Sequence, residues 1–296
     1  MAGLGSVQYA VIDAFTDKPY SGNPAAVCLL DENKDTQWMQ NVAAEFNLSE
    51  TAFLTRRRGN AHQNEKVEEF DLRWFTPVAE VDLCGHATLA SAHFLFSGFV
   101  NCSLVLFHTR SGILSALKIE GFSKEDQSFG KKEEKFAIEL NFPQVSVFDC
   151  DSSDIPYLSN SLEGMTVHSV KKTTFNDLII ELASGEQVAS LQPQFEEIQK
   201  CSSRGIIITG LAPNQSGFDF YTRFFCPKLG VNEDPVCGSA HCALAPYWAK
   251  KLGKNQLVAY QASKRGGKLV LQVVEDENRV VLQGEAIKVM SGILSA

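Results

Sequence analysis

The sequence contains no Cys-x-x-Cys pair, no surplus of basic residues and no uninterrupted apolar run near the about 20 residues a bilayer-crossing helix needs. Each absence removes a class of function. Zinc-ribbon and thioredoxin readings lose their signature without Cys-x-x-Cys. The richest apolar run, 86–100, is too short to span a membrane and carries His, Thr and Ser. A net charge of −8 and a pI near 5.3 leave nucleic acid without the cationic face it requires. The basic runs Arg56-Arg57-Arg58 and Lys131-Lys132 are each followed by acidic residues and read as solvated loops. No Gly-x-Gly-x-x-Gly follows an early strand, so a dinucleotide-binding dehydrogenase is disfavoured. Met1 to Val7 lacks the charged-then-apolar pattern of a secretory signal. The eight cysteines then read as free thiols in a reducing compartment, and a cytoplasmic protein is expected.

What is present is an ordinary globular composition, 44% hydrophobic and 21% charged over 296 residues, long enough for about two domains of about 150 residues. Alternation and turn residues predict strands over 7–15, 25–30, 51–55, 71–76, 103–109 and 112–119 in the first half. Asp35 stands where a helix N-cap belongs, ahead of an apolar stripe at Trp38, Val42 and Phe46, and Asn47 can end that helix. A buried helix is expected over 86–99, and the polar stretch 121–135 is the expected linker. In the second half, strands are expected over 136–140, 167–171, 178–182, 205–209 and 219–225 and from 257 onward. Helices are expected between 188 and 200 and over 239–252.

The two halves echo each other. Arg73-Trp74-Phe75-Thr76-Pro77 precedes Cys84-Gly85-His86-Ala87 and an apolar helix; Arg223-Phe224-Phe225-Cys226-Pro227 precedes Cys237-Gly238-Ser239-Ala240 and another. The two spacings differ by three residues, which a loop absorbs, so the pattern implies two related domains. The six residues at 111–116 also recur at 291–296, which fits a C-terminal strand returning to the first domain. A helix start leaves backbone N–H groups unpaired and carries partial positive charge, so two duplicated glycine-bearing starts could seat a carboxylate or developing oxyanion. Taken singly, each reads as a plain helix cap; their duplication shifts the balance towards a site. Glu50, placed among Leu48, Phe53 and their neighbours, would have its charged form disfavoured and suit acid–base work, or could equally be an exposed loop residue after Ser49. Asp234, just ahead of the second helix start, could titrate with His86 or simply shape a turn before Pro235. His93, His241 and Cys242 lie within apolar helices and read as packed.

These segments together resemble the PhzF (phenazine-biosynthesis-like) family. The resemblance is carried by Asp13-Ala14-Phe15-Thr16, Ser21-Gly22-Asn23-Pro24-Ala25-Ala26-Val27, Leu48-Ser49-Glu50-Thr51-Ala52-Phe53, Leu72 to Pro77, Leu83 to Thr88 and Glu233 to Ala240. It implies an α+β fold: two pseudosymmetric diaminopimelate-epimerase-like domains, each a β-sheet or barrel wrapped around a central helix. One domain would comprise 1–120 plus the strand 287–296, the other 121–286. It also implies catalytic roles for Glu50, His86 and Asp234, with Glu50 shuttling the proton, and substrate-holding roles for Gly85, Gly238, Ser239 and Asn23. The implied activity is a cofactor-free, metal-free isomerase moving a proton on a small carboxylate-bearing substrate in the interdomain cleft, as a homodimer; the family's best-understood substrate is a dihydro-hydroxyanthranilate. Three other readings stay open: a racemase using Cys84 and Cys237 as paired thiols, a catalytically silent binding protein, and a zinc enzyme using Cys84, His86, Cys237 and His241.

Overall fold

The computed structural model describes residues 6–57, 67–122, 135–150, 162 and 164–295. Lys131, Lys132, Arg58 and most of the expected linker lie outside the described residues. The chain forms two compact units, Met1–Asn141 with Gln283–Ala296, and Phe142–Leu282. The fold is mostly β, with few helices among the described residues.

In the first unit β1 (Ser6–Ala14) pairs antiparallel with β2 (Asn23–Leu30), and α1 (Thr36–Phe46) leads to β3 (Glu50–Arg56), which runs parallel to β2. Helix α1 begins and ends as its sequence requires. Asp35 accepts from the Trp38 N–H at 2.9 Å, and Asn47 takes the left-handed conformation at φ 50° that stops the helix. Then follow β4 (Val67–Phe75), the short β5 (Glu80–Val81), α2 (Gly85–Phe96), β6 (Leu104–Thr109), β7 (Gly112–Glu120) and β8 (Phe136–Pro143). Strands β3 and β4, β6 and β7, and β7 and β8 pair antiparallel, whereas β4 and β6 pair parallel across α2. The last strand, β17 (Arg279–Ser295), pairs with β8 and antiparallel with β1, so eight strands close into a barrel.

Eleven of the twelve residues of α2 are buried, and it packs against β1, β2, β3 and β7. A helix with almost no solvent face must satisfy its own polar groups, and the Ser91 hydroxyl does so by donating to the Ala87 carbonyl at 2.7 Å. This first unit extends past the expected boundary at 120, because β8 belongs to its barrel rather than to the second half.

The second unit holds β9 (Val147–Asp149), β10 (Val167–Thr173), β11 (Asp177–Leu182), α3 (Gly185–Ser190), α4 (Phe195–Lys200), β12 (Gly205–Leu211), β13 (Phe220–Cys226), β14 (Val231–Asp234), α5 (Gly238–Leu252), β15 (Gln256–Gln261) and β16 (Gly267–Val274). Its pairings follow the same succession: β11 with β12 parallel, β12 with β13 antiparallel, β13 with β15 parallel, β15 with β16 antiparallel. The single helix expected between 188 and 200 is two short ones. Pro193 lies between them and cannot donate to a continuing helix. Pro246 sits inside α5 and leaves the Cys242 carbonyl without its intrahelical donor; the Val145 N–H supplies one at 3.1 Å.

Candidate functional site

Four side chains of the first unit converge at the start of α2. Glu50 opens β3 opposite Ala25 of β2, Asn23 opens β2, and Cys84 and His86 flank Gly85 at the helix tip. Glu50 Oε2 lies 3.1 Å from His86 Nε2, with the Glu50 side chain 17% exposed and that of His86 3%. The two atoms are buried and within ion-pair reach, but not aligned as a hydrogen bond. On the other side of the ring, Asn23 Nδ2 is 2.9 Å from His86 Nδ1, and the Ser49 hydroxyl donates to Asn23 Oδ1 at 3.1 Å. The amide is placed with its oxygen towards the Ser49 hydroxyl and its nitrogen towards the ring. Asn23 therefore donates to Nδ1, and the imidazole proton resides on Nε2, facing Glu50. Cys84 Sγ lies 3.5 Å from the same Nδ1.

The second unit builds a corresponding tip. Asp234 ends β14, and its Oδ1 accepts from the Val236 N–H at 3.0 Å. The Cys237 N–H donates to Gln261 Oε1 at 2.9 Å, while Gln261 Nε2 donates to the Asp234 carbonyl at 2.6 Å. The fully buried Gln261 thus ties the loop on both sides of Pro235. Ser239 Oγ lies 3.2 Å from Cys237 Sγ. Burial, and secondarily the Asp234 carboxylate, push the Cys237 thiol well above its usual range.

The sequence reading named Glu50, His86, Asn23, Cys84 and Gly85, which the structure gathers in the first unit. It named Asp234, Cys237, Gly238 and Ser239, which share the second. It missed Ser49 and Gln261, whose polar side chains carried no local signal of a buried partner. Asn23 is fully buried, with both ends of its amide engaged. His93 and His241 are packed as expected: His93 stacks on Phe136 at 4.9 Å, and His241 lies over Phe220 with Nδ1 2.7 Å from the Cys237 carbonyl. Among the described residues, the group able to offer ligand atoms to a metal is Glu50, Cys84 and His86, whose donor atoms lie within 4.8 Å of one another.

Residues 12–292 match the model of the PhzC-PhzF family, phenazine biosynthesis-like protein. The chain belongs to that family. It is 43% identical over 284 residues to an uncharacterized isomerase of Halalkalibacterium halodurans, covering 95% of each chain. It is 38% identical to the phenazine biosynthesis-like domain-containing protein 1 of Mus musculus, covering 97% of this chain and 98% of that one. Among solved structures, a PhzF-family protein of Enterococcus faecalis superimposes with a TM-score of 0.82 at 37% identity, covering 99% of this chain and 100% of that one. As a family member with relatives of this kind, the chain is an isomerase.

Proposed function

We propose that this PhzF-family protein is a cofactor-independent isomerase in which Glu50 removes a proton from one carbon of a small carboxylate-bearing substrate and returns it at another. The reading places the substrate in a cleft between two pseudosymmetric halves, each a sheet wrapped around its central helix. The amide-rich tip at Gly238 and Ser239 holds the carboxylate, Gly85 does the same for the developing oxyanion, and Asp234 assists His86. The supporting observation is the buried Glu50–His86 pair, 3.1 Å apart at a helix tip. A carboxyl group that takes and gives the same proton needs a partner whose N–H can follow its change of charge, and the Nε2 proton set by Asn23 supplies one. Asn23, expected among the substrate-binding residues, is on this reading a positioning residue. The partial positive charge at the start of α2 favours negative charge arising beside it. All eight cysteines are free thiols, consistent with a cytosolic location, and a homodimer is the expected assembly.

A two-thiol racemase is the second reading, favoured by the Cys84–His86 contact at 3.5 Å. It requires a thiolate on one side, and the raised Cys237 thiol opposes that. The test is exchange in heavy water with a panel of amino- and hydroxy-acids, read by NMR. Glu50→Gln is expected to lower deuterium incorporation by about 10²- to 10⁴-fold, while Cys84→Ser and Cys237→Ser retain most of it. The reverse pattern establishes the thiol pair. Silence of the wild type across the whole panel favours a binding protein instead.

A further inference from the structure

Arg73 of β4 donates from Nε and Nη2 to both oxygens of Glu80 on β5, at 2.7 and 2.8 Å. Arg223 of β13 donates from the same two positions to both oxygens of Glu233 on β14, at 2.7 and 2.9 Å. The agreement extends further. Each guanidinium lies over the ring two residues along its own strand, Arg73 over Phe75 at 5.1 Å and Arg223 over Phe225 at 4.9 Å. Each glutamate stands in register opposite that same phenylalanine, Phe75 with Glu80 and Phe225 with Glu233. Each glutamate is also four residues ahead of the cysteine that opens a helix tip, Cys84 or Cys237. The three-residue difference between the two sequence repeats falls between the arginine and the glutamate, where Pro227–Leu229 adds a short helical turn. The span from clamp to tip is therefore kept constant, while the outer loop varies.

Further contacts anchor the clamps rather than neutralise charge alone. Arg73 Nη2 reaches the Thr36 hydroxyl at the start of α1, at 3.0 Å. Arg110 adds a contact at 2.7 Å to Glu80, whose side chain is only 8% exposed. Arg223 Nη1 donates at 2.6 Å to the Leu191 carbonyl, which the break between α3 and α4 leaves available. A planar fork bound at two points and stacked on a ring fixes orientation in a way a lysine cannot.

We propose that the Arg73–Glu80 and Arg223–Glu233 pairs are a duplicated positioning clamp that sets the placement of the two helix tips, Gly85–His86 and Gly238–Ser239. Their catalytic consequence rests on the isomerase reading above; their geometric consequence does not. Arg73 and Arg223 touch no reacting atom and act through the loops they hold.

The experiment uses the full ¹⁵N-labelled chain. Arg73→Lys, which keeps the charge and loses the fork, is expected to shift the His86 imidazole nitrogens and the Gly85 amide. Arg223→Lys is expected to shift the Gly238 and Ser239 amides. With the acid panel in heavy water, each variant is expected to exchange about 10- to 100-fold more slowly than wild type, the scale of loss produced by a reacting group misplaced by about 1 Å. Added guanidinium ion is expected to restore part of the rate in Arg73→Ala. Should Arg73→Ala fail to fold, Glu80→Gln weakens the same clamp from the carboxylate side and is read by the same signals. Unmoved tip resonances in both lysine variants, with only a lowered melting temperature, would overturn the clamp and leave two structural ion pairs. If Glu50→Gln turns over like wild type while the tip resonances still move, the clamp stands and the assignment of the proton shuttle falls.

Discussion

Asn23 shows how a residue without charge can decide the chemistry of one that carries it. Its amide is trapped between the Ser49 hydroxyl and His86 Nδ1, so the ring presents Nε2–H to Glu50. Asn23→Leu keeps the approximate size and removes both hydrogen bonds, freeing the imidazole to adopt either tautomer. The expected result is a fall in exchange of up to about 10²-fold, with a change in the two imidazole ¹⁵N shifts that reports the tautomer directly. A loss of activity with the ¹⁵N pattern intact rules out this role. Glu50 and His86 could be picked from the sequence because an acid and an imidazole in apolar surroundings need a reason to be there. Ser49 and Gln261 could not. Their partners, Asn23 at 3.1 Å and the Cys237 N–H at 2.9 Å, are 26 and 24 residues away, and only the strand register brings them together.

At the scale of elements, local rules worked where local chemistry decides and failed where pairing does. The start and stop of α1 follow from Asp35 and Asn47, each acting within one turn. Strand β4 begins at Val67, earlier than alternation suggested. Its first residues include Glu68 and Glu69, whose charge is accommodated by the neighbouring Arg56 and His108, at 3.0 and 2.6 Å. Strand β8 resembles the opening strand of a second half, yet it pairs with β7 before it and with β17 at the far end of the chain, a long-range choice that no window of sequence contains. Because Asn47 ends α1 only three residues before Glu50 opens β3, the cap at Asp35 anchors the helix that leads into the strand carrying Glu50. Asp35→Ala removes the acceptor for Trp38 N–H and is expected to cost about 1 kcal/mol of stability. Chemical denaturation is expected to show that loss with exchange activity unchanged at temperatures where the variant is folded. A parallel fall in activity indicates that fraying of α1 reaches Glu50.

For the molecule as a whole, each compact unit packs a histidine whose surroundings favour its uncharged form, His241 fully buried and His93 mostly so. Burial, aided by Lys288, lowers the His93 pKa to about 4 in the first unit, and burial lowers that of His241 to about 4 in the second, although its contact with the Cys237 carbonyl works the other way. Both start from 6.5 in the unfolded chain. As the pH drops below 6.5 the unfolded state takes up these protons first. Stability is thus fully present above that value and drains away towards pH 4, so acid acts against both units. At about pH 5 the two-state linkage relation gives a loss of about 2 kcal/mol for each histidine. Urea midpoints measured at about pH 7.5 and about pH 5 are expected to fall for the wild type. In His93→Leu and His241→Gln the fall is expected to be smaller by roughly that amount per substitution, whatever each change costs at the higher pH. The comparison within each variant removes the packing cost, since lost stacking on Phe136 or Phe220 is the same at both pH values. If the variants lose as much stability as the wild type over this interval, the acid sensitivity resides in carboxylates, and neither histidine titrates on unfolding.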